Sequence, residues 1–248
     1  LGMAYAYKGS FPVARDFYEH SIRYKERFDD EAGIAVSHGQ LGRLYLEWGH
    51  LDEAERHFQE DLRLAQKLRS RWSEAQIYNH LGQLELARGE REASLGRKSA
   101  AARKFAEAAG CLDQAIRLSQ EGKYAVPEAF ARKDRALVYF HEGDLKSAQD
   151  QVRQALDLFS TCSFSEGTAK ANLVEGMVLR RLGLENPQDP TMWLLKPGWG
   201  FAAICLTIVW KTSSFMALIL LAGLQMIPKS LYEAAEVDGA SRWQQFWQ

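Results

Sequence analysis

Small residues and leucines recur along this chain at a fixed interval. Leu1-Gly2, Leu41-Gly42 and Leu81-Gly82 stand 40 residues apart, and so do Gly9, Gly49 and Gly89. Tyr5 matches Tyr45, Ala14 matches Ala54, and Tyr18 and Phe58 are both aromatic. The pattern returns as Ala136/Gly143 and Gly176/Gly183, again 40 residues apart. Gly89 and Gly143 are separated by 54 residues, so this copy carries about 14 more, which the sequence places around Arg91 to Lys133. A repeat of this length is one supersecondary unit that cannot bury its apolar face alone, and only stacking on its neighbours completes a core.

Each unit reads as two helices, which makes the array all-α. From Ala32 to Trp48 there is no proline, and Ile34, Leu41, Tyr45 and Leu46 fall on one helical stripe. Gly49 then suits a left-handed helix end. A second helix is predicted from about Asp52 to Leu68, with Ala54, Phe58, Leu62 and Leu64 facing inward. Gly42 and Ala54 permit close approach, and Tyr45 and Phe58 fill the space beside them. The third unit departs from this pattern. Ser94 and Lys98 stand where Ala54 and Phe58 are required, and Ala101 and Phe105 restore the spacing further on. A longer or shifted second helix follows.

The signature L-G-x-x-Y, then G, then A-x-x-x-F resembles the tetratricopeptide repeat (TPR) in its longer variant, over residues 1–184. The resemblance implies a helical-hairpin solenoid whose first helices line a concave groove. Carried onto this sequence, Arg43, Glu47, Asn79, Gln83 and Lys133 point into that groove, where an unidentified protein or peptide binds. The lining is not uniformly charged, since Ala87 takes the place of Glu47 in the third unit. Repeats of this length also occur, by resemblance, as the sensing part of large bacterial regulators, so a scaffold or sensor is the alternative reading.

Beyond residue 184 the text changes. Five of seven tryptophans and four of six prolines lie there, and Lys211 is the one charge between Trp199 and Pro228. That apolar stretch is long enough to cross a hydrocarbon layer of about 30 Å at about 1.5 Å per residue. The mean hydropathy of −0.33 therefore averages two unlike parts. The chain divides into the repeat array (1–184), a linker (185–198), a membrane span (199–228) and a loop (229–248). In that loop Ser230 and Glu233 have capping-box spacing, Asp238-Gly239 ends a short helix, and Ser241 and Gln244 open another.

The run from Trp210 to Trp247, with AGLQMIPK and Glu233-Ala234-Ala235 followed by Gly239, resembles the binding-protein-dependent permease subunits of ABC transporters, in the sugar-importer group. The resemblance covers residues 192–248. It implies a bacterial inner-membrane protein whose loop is cytoplasmic and docks on an ATP-binding subunit through Glu233, Ala234, Ala235 and Gly239, beside a second permease subunit. One span cannot enclose a substrate path, so the chain is expected to be a fragment or fusion and not by itself a transporter. A lone span entering from outside would also place the cytoplasmic-looking repeats, which carry no visible export signal, outside the cell.

Other chemistries find little support. With 31 Lys/Arg against 32 Asp/Glu, the net charge of −1 argues against nucleic acid. Three separated cysteines form neither C-x-x-C nor a disulfide framework. The histidines make no H-E-x-x-H, and no G-x-x-x-x-G-K-[ST] loop or G-x-S-x-G elbow exists. No enzyme activity, metal or cofactor is expected, and His38 and His80 read as surface or packing residues.

Overall fold

The computed structural model describes residues 2–183 and, beyond them, 208–210, 212–213, 216, 219, 233, 235–236 and 239. Packing divides the chain into two compact units, Leu1–Glu185 and Asn186–Gln248. The first holds α1 (Gly2–Tyr7), α2 (Phe11–Glu26), α3 (Glu31–Trp48), α4 (Leu51–Lys67), α5 (Arg71–Ser94), α6 (Lys98–Gly122), α7 (Ala125–Glu142), α8 (Leu145–Thr161) and α9 (Ser165–Arg181). Among the described residues the fold is entirely helical. Successive helices pack as hairpins, and the first helices also touch one another, α3 on α5, α5 on α7 and α7 on α9. They form the inner layer of a solenoid.

The hairpin geometry follows from a spacing in the sequence. A small residue stands seven positions before the hairpin turn, and a bulky one nine after it: Gly2/Gly9/Tyr18, Gly42/Gly49/Phe58, Gly89/Gly96/Phe105 and Ala136/Gly143/Val152. A Cβ on Gly42 would lie 2.4 Å from Phe58 Cε1, and one on Gly89 would lie 2.5 Å from Phe105 Cε1. Only a hydrogen at these positions lets the ring sit against the facing backbone. The alanines four residues before the bulky position, Ala14, Ala54, Ala101 and Ala148, are all buried, which brings the second helix equally close. At the turns, Gly49 and Gly96 take φ of 87° and 74°, where a side chain would be strained.

The placement of the extra residues around Arg91 to Lys133 needs correcting. Gly89 is not the turn of the third hairpin. It lies inside α5, and the turn has moved seven residues on, to Gly96. The surplus is shared between α5 and α6, which run 24 and 25 residues where α3 and α4 run 18 and 17. Seven residues are about two helical turns, so the buried face keeps its direction while the hairpin lengthens. Gly82 now packs on Leu112 and Gly89 on Phe105, two close approaches where other hairpins have one. Arg88 ties the extension to α4 by ion pairs with Glu55 (2.7 Å) and Asp52 (3.1 Å), and also holds Glu85 of its own helix.

The predicted span 199–228 falls mostly outside the described residues. Among those described, no helix is long and apolar enough to cross a membrane. Ile208, Val209, Trp210, Thr212, Ser213, Met216 and Ile219 are helical and exposed.

Two expectations follow. Gly42→Ala should destabilise the array by about 1–2 kcal/mol, because overpacking against Phe58 outweighs the helix propensity gained. Gly110→Ala, in open space on α6, should stabilise it by about 0.5–1 kcal/mol. Urea unfolding followed by circular dichroism measures both, and equal effects would show that the close approach imposes nothing.

The second expectation concerns acid. His38 and His57 place their Nδ1 atoms 2.9 Å apart between α3 and α4, so the two rings share one proton. Burial, with His38 and Arg56 adding to it, pushes His57 down to about 4, and burial pushes His80 to about the same value and lowers His38. Burial pushes Asp61 the other way, up to about 7. Unfolding between pH 6.5 and 4 thus takes up a proton at each of His57 and His80 and part of one at His38, and releases one from Asp61. The net uptake is one proton or more, so stability falls on acidification, by about 1.4 kcal/mol per pH unit for each net proton. Thermal midpoints at pH 7 and pH 5 test this, and His57→Phe should flatten the difference.

Candidate partner-binding groove

The inner layer curves enough for α1, α3, α5, α7 and α9 to share one concavity of about 420 Å³. Arg43 and Glu47 reach it from α3, Asn79 and Gln83 from α5, and Lys133 from α7, so all five residues singled out in the sequence line the same space. Tyr7, Pro127, Phe130 and Phe164 add apolar surface, and Glu166 and Lys170 line it from α9. Lys170 pairs with Glu166 at 2.7 Å and holds its carboxyl below the usual range, with a smaller pull from Arg43. Arg43 of α3 and Glu166 of α9 line one concavity, which shows how far the solenoid wraps.

The five residues do not offer the same chemistry. Asp134, on α7 and 2% exposed, accepts hydrogen bonds on Oδ2 from Asn79 Nδ2 (3.0 Å) and Gln83 Nε2 (2.7 Å). Its Oδ1 is held by Lys133 Nζ. A buried carboxylate requires this much compensation, and the network locks α5 to α7 across the intervening α6. Asn79, Gln83 and Lys133 are thereby committed to the floor. Arg43 and Glu47 are exposed and make no hydrogen bond or ion pair among the described residues. They are the groups free to meet a partner. Sequence reasoning missed Asp134. Its one trace is an acidic residue beside Lys133 on the inner face of α7. His80 stacks on Phe58 at 5.3 Å, and its buried Nδ1 finds no partner among the described residues.

Among the described residues no three His, Cys, Asp or Glu side chains converge as a metal site. Cys111 and Cys162 are free thiols.

In the second unit Glu233, Ala235 and Glu236 are helical. Gly239 takes a φ of 78°, and its N–H donates to Glu236 O at 3.0 Å, which closes the turn after them. Ala234 lies outside the described residues. Glu233 and Glu236 are exposed and Ala235 is half-buried.

Comparison with known proteins gives two matches that meet near the end of the array. The MalT-like TPR region matches residues 1–160, and the binding-protein-dependent transport system inner membrane component matches residues 154–248. Among curated proteins, the sulfoquinovosyl glycerol transport system permease protein SmoG of Agrobacterium fabrum is 62% identical over 71 residues, 29% of this chain and 22% of that protein. The trehalose/maltose transport system permease protein MalF of Thermococcus litoralis is 56% identical over 58 residues, 23% of this chain and 20% of that protein. The chain thus spans about a fifth of the length of these relatives. Among solved structures, BtubC (BKLC) from P. vanneervenii superposes with a TM-score of 0.56 at 19% identity, over 74% of this chain and 70% of that one, a likeness of fold. The chain belongs to the MalT-like TPR family over residues 1–160, and residues 154–248 are similar to the inner membrane component of the binding-protein-dependent transport systems.

Proposed function

We propose that this chain is a fusion or fragment that joins a partner-binding TPR groove to part of the membrane-spanning subunit of an ATP-driven sugar importer. The observation that carries the transport half is the match of residues 154–248 to the permease family, with relatives named for sugar transport. Residues 199–228 form the span, and Glu233, Ala234, Ala235 and Gly239 dock on the ATPase subunit. A second permease subunit completes the substrate path.

Local geometry supports this reading. Thr212 Oγ1 donates to Ile208 O at 2.7 Å, and Ser213 Oγ to Trp210 O at 3.2 Å. Hydroxyls turned back onto their own helix suit apolar surroundings, where no water is at hand to satisfy them. Ile208, Val209, Trp210, Met216 and Ile219 are each more than half exposed, as lipid-facing side chains are. At the loop, the left-handed Gly239 turns the chain after helical Glu233, Ala235 and Glu236, where the small Ala235 suits entry into a cleft.

A second reading rests on a separate observation, that the TPR family matches the larger part of the chain. There the groove is the functional element of a scaffold or sensor, and the membrane text is incidental. Fractionation of the full chain separates the two. Recovery only in detergent, with co-purification of an ABC ATPase subunit that falls about tenfold or more on Gly239→Asp, supports transport. A product recovered without detergent and without that subunit supports the scaffold.

The groove has its own test. Arg43→Glu should weaken capture of a groove partner about tenfold and leave the thermal midpoint unchanged, because Arg43 is exposed and unpaired among the described residues. Asp134→Ala should instead destabilise the fold by about 3 kcal/mol, because it strands Lys133 and two amides. Partner pull-down alongside thermal melts distinguishes the binding surface from its floor.

A further inference from the structure

A second cavity, of about 520 Å³, lies between α3, α4 and α5. Most of its wall is apolar, from Ala35, Val36, Ala65, Leu68 and Ile77. Two polar groups that line it, Asp61 and His80, are left without a hydrogen-bond partner from the described residues, Asp61 with its oxygens open to the cavity and His80 with a buried Nδ1. Asp61 is 7% exposed, and no hydrogen bond or ion pair among the described residues holds its carboxylate. The Nδ1 of His80 is buried and equally without a partner among those residues. A buried carboxylate normally draws a cation or several donors from its own chain, as Asp134 does. Arg43 lines the cavity from α3 but makes no ion pair with Asp61, no donor among the described residues reaches that carboxylate, and burial alone pushes it up to about 7.

The local sequence makes room for this arrangement. A Cβ on Gly39 would lie 2.6 Å from Asp61 Oδ2, so the glycine on α3 is what admits the carboxylate beside the cavity. On α5, Trp72 lines the same space and is 48% exposed, which leaves ring surface free to contact a ligand. An apolar wall, a few convergent polar groups and this volume are the usual makings of a small-ligand site. A carboxylate and an indole around one space suit a positive charge, which gains an ion pair from the first and a cation–π contact from the second.

We propose that the cavity between α3, α4 and α5 receives a cationic nitrogen group, an alkylammonium or guanidinium, which pairs with Asp61 and lies against Trp72. The group comes either from a free small amine or from a lysine or arginine side chain of a bound peptide. The neutral His80 ring adds one hydrogen bond through Nδ1.

Isothermal titration of the full chain tests this with n-butylammonium, n-butylguanidinium and the neutral isostere n-butanol. At least one of the two cations should bind about tenfold or more tighter than butanol. Asp61→Asn should abolish that preference without lowering the thermal midpoint, since an amide carries no buried charge. Trp72→Ala, at an exposed position, should weaken the cation about fivefold. The blocked tripeptide N-acetyl-Gly-Lys-Gly-amide distinguishes the sources. Binding as tight as that of butylammonium identifies a peptide side chain, and much weaker binding identifies a free amine. Equal affinity of butanol and both cations for the wild-type chain, or an unchanged preference in Asp61→Asn, would overturn the proposal. If Asp61→Asn does not fold, an unchanged preference in Trp72→Ala overturns it equally.

Discussion

The close approach of a small residue, glycine in three hairpins and Ala136 in the fourth, to a bulky side chain sixteen residues later sets the geometry of each hairpin, and the array inherits it. Where Gly42 meets Phe58 and Gly89 meets Phe105, the ring occupies volume that any side chain would claim. This fixes how far the first helix lies from the second and where along its length they meet. Alanines on the second helix, buried at Ala54 and Ala101, prevent any other spacing from packing as well. Similar hairpins then stack with similar rotations, and their first helices become an inner wall. The wrap that brings Arg43 and Glu166 to one concavity is the accumulated result.

The solenoid carries buried polar groups of two kinds. Around Asp134 every need is met within the chain, by two amides and an ammonium from neighbouring helices. The result is a rigid joint between α5 and α7, at a place where the long α5–α6 hairpin interrupts the regular stacking. Around Asp61 the needs are left open beside a cavity. Both are buried acids in one solenoid, and they differ in whether their own chain neutralises them. A satisfied acid belongs to the architecture, whereas an unsatisfied one costs stability that a bound cation would return.

Much of this was legible in the sequence. The 40-residue period gave the hairpins, and the second helix predicted near Asp52 to Leu68 is α4, Leu51–Lys67. Phe105 signalled the lengthened second helix because A-x-x-x-F must recur wherever a hairpin closes. The turn at Gly96 was harder, since Gly89 fits the period and only its contact with Phe105 shows that it has become a packing position. The turns between hairpins left no trace, because Asp29, Arg69, Lys123 and Ser163 take positive φ without being glycine. Local backbone strain there is tolerated because the packed helices on either side dictate the path. Asp134 was invisible for another reason. Its partner Asn79 is 55 residues away, and pairing across helices obeys no period.

The meeting of the two families is sharper in sequence than in packing. The permease family match begins at residue 154, inside α8, yet α8 and α9 pack as solenoid helices. Phe159 and Ala171 share one buried cluster with Ala129 and Ala155, and Val174 joins Ala136 and Val152 in another. Gly167 lies against Phe159 so closely that a Cβ would stand 2.4 Å from its ring. Contacts of this kind belong to the repeat lattice, and the compact unit they build runs to Glu185. Residues 154–183 therefore carry family resemblance to one protein class while obeying the packing rules of the other. A join placed by sequence similarity at residue 154 would cut through a core, and one placed at the edge of the compact unit leaves every buried contact of α8 and α9 intact.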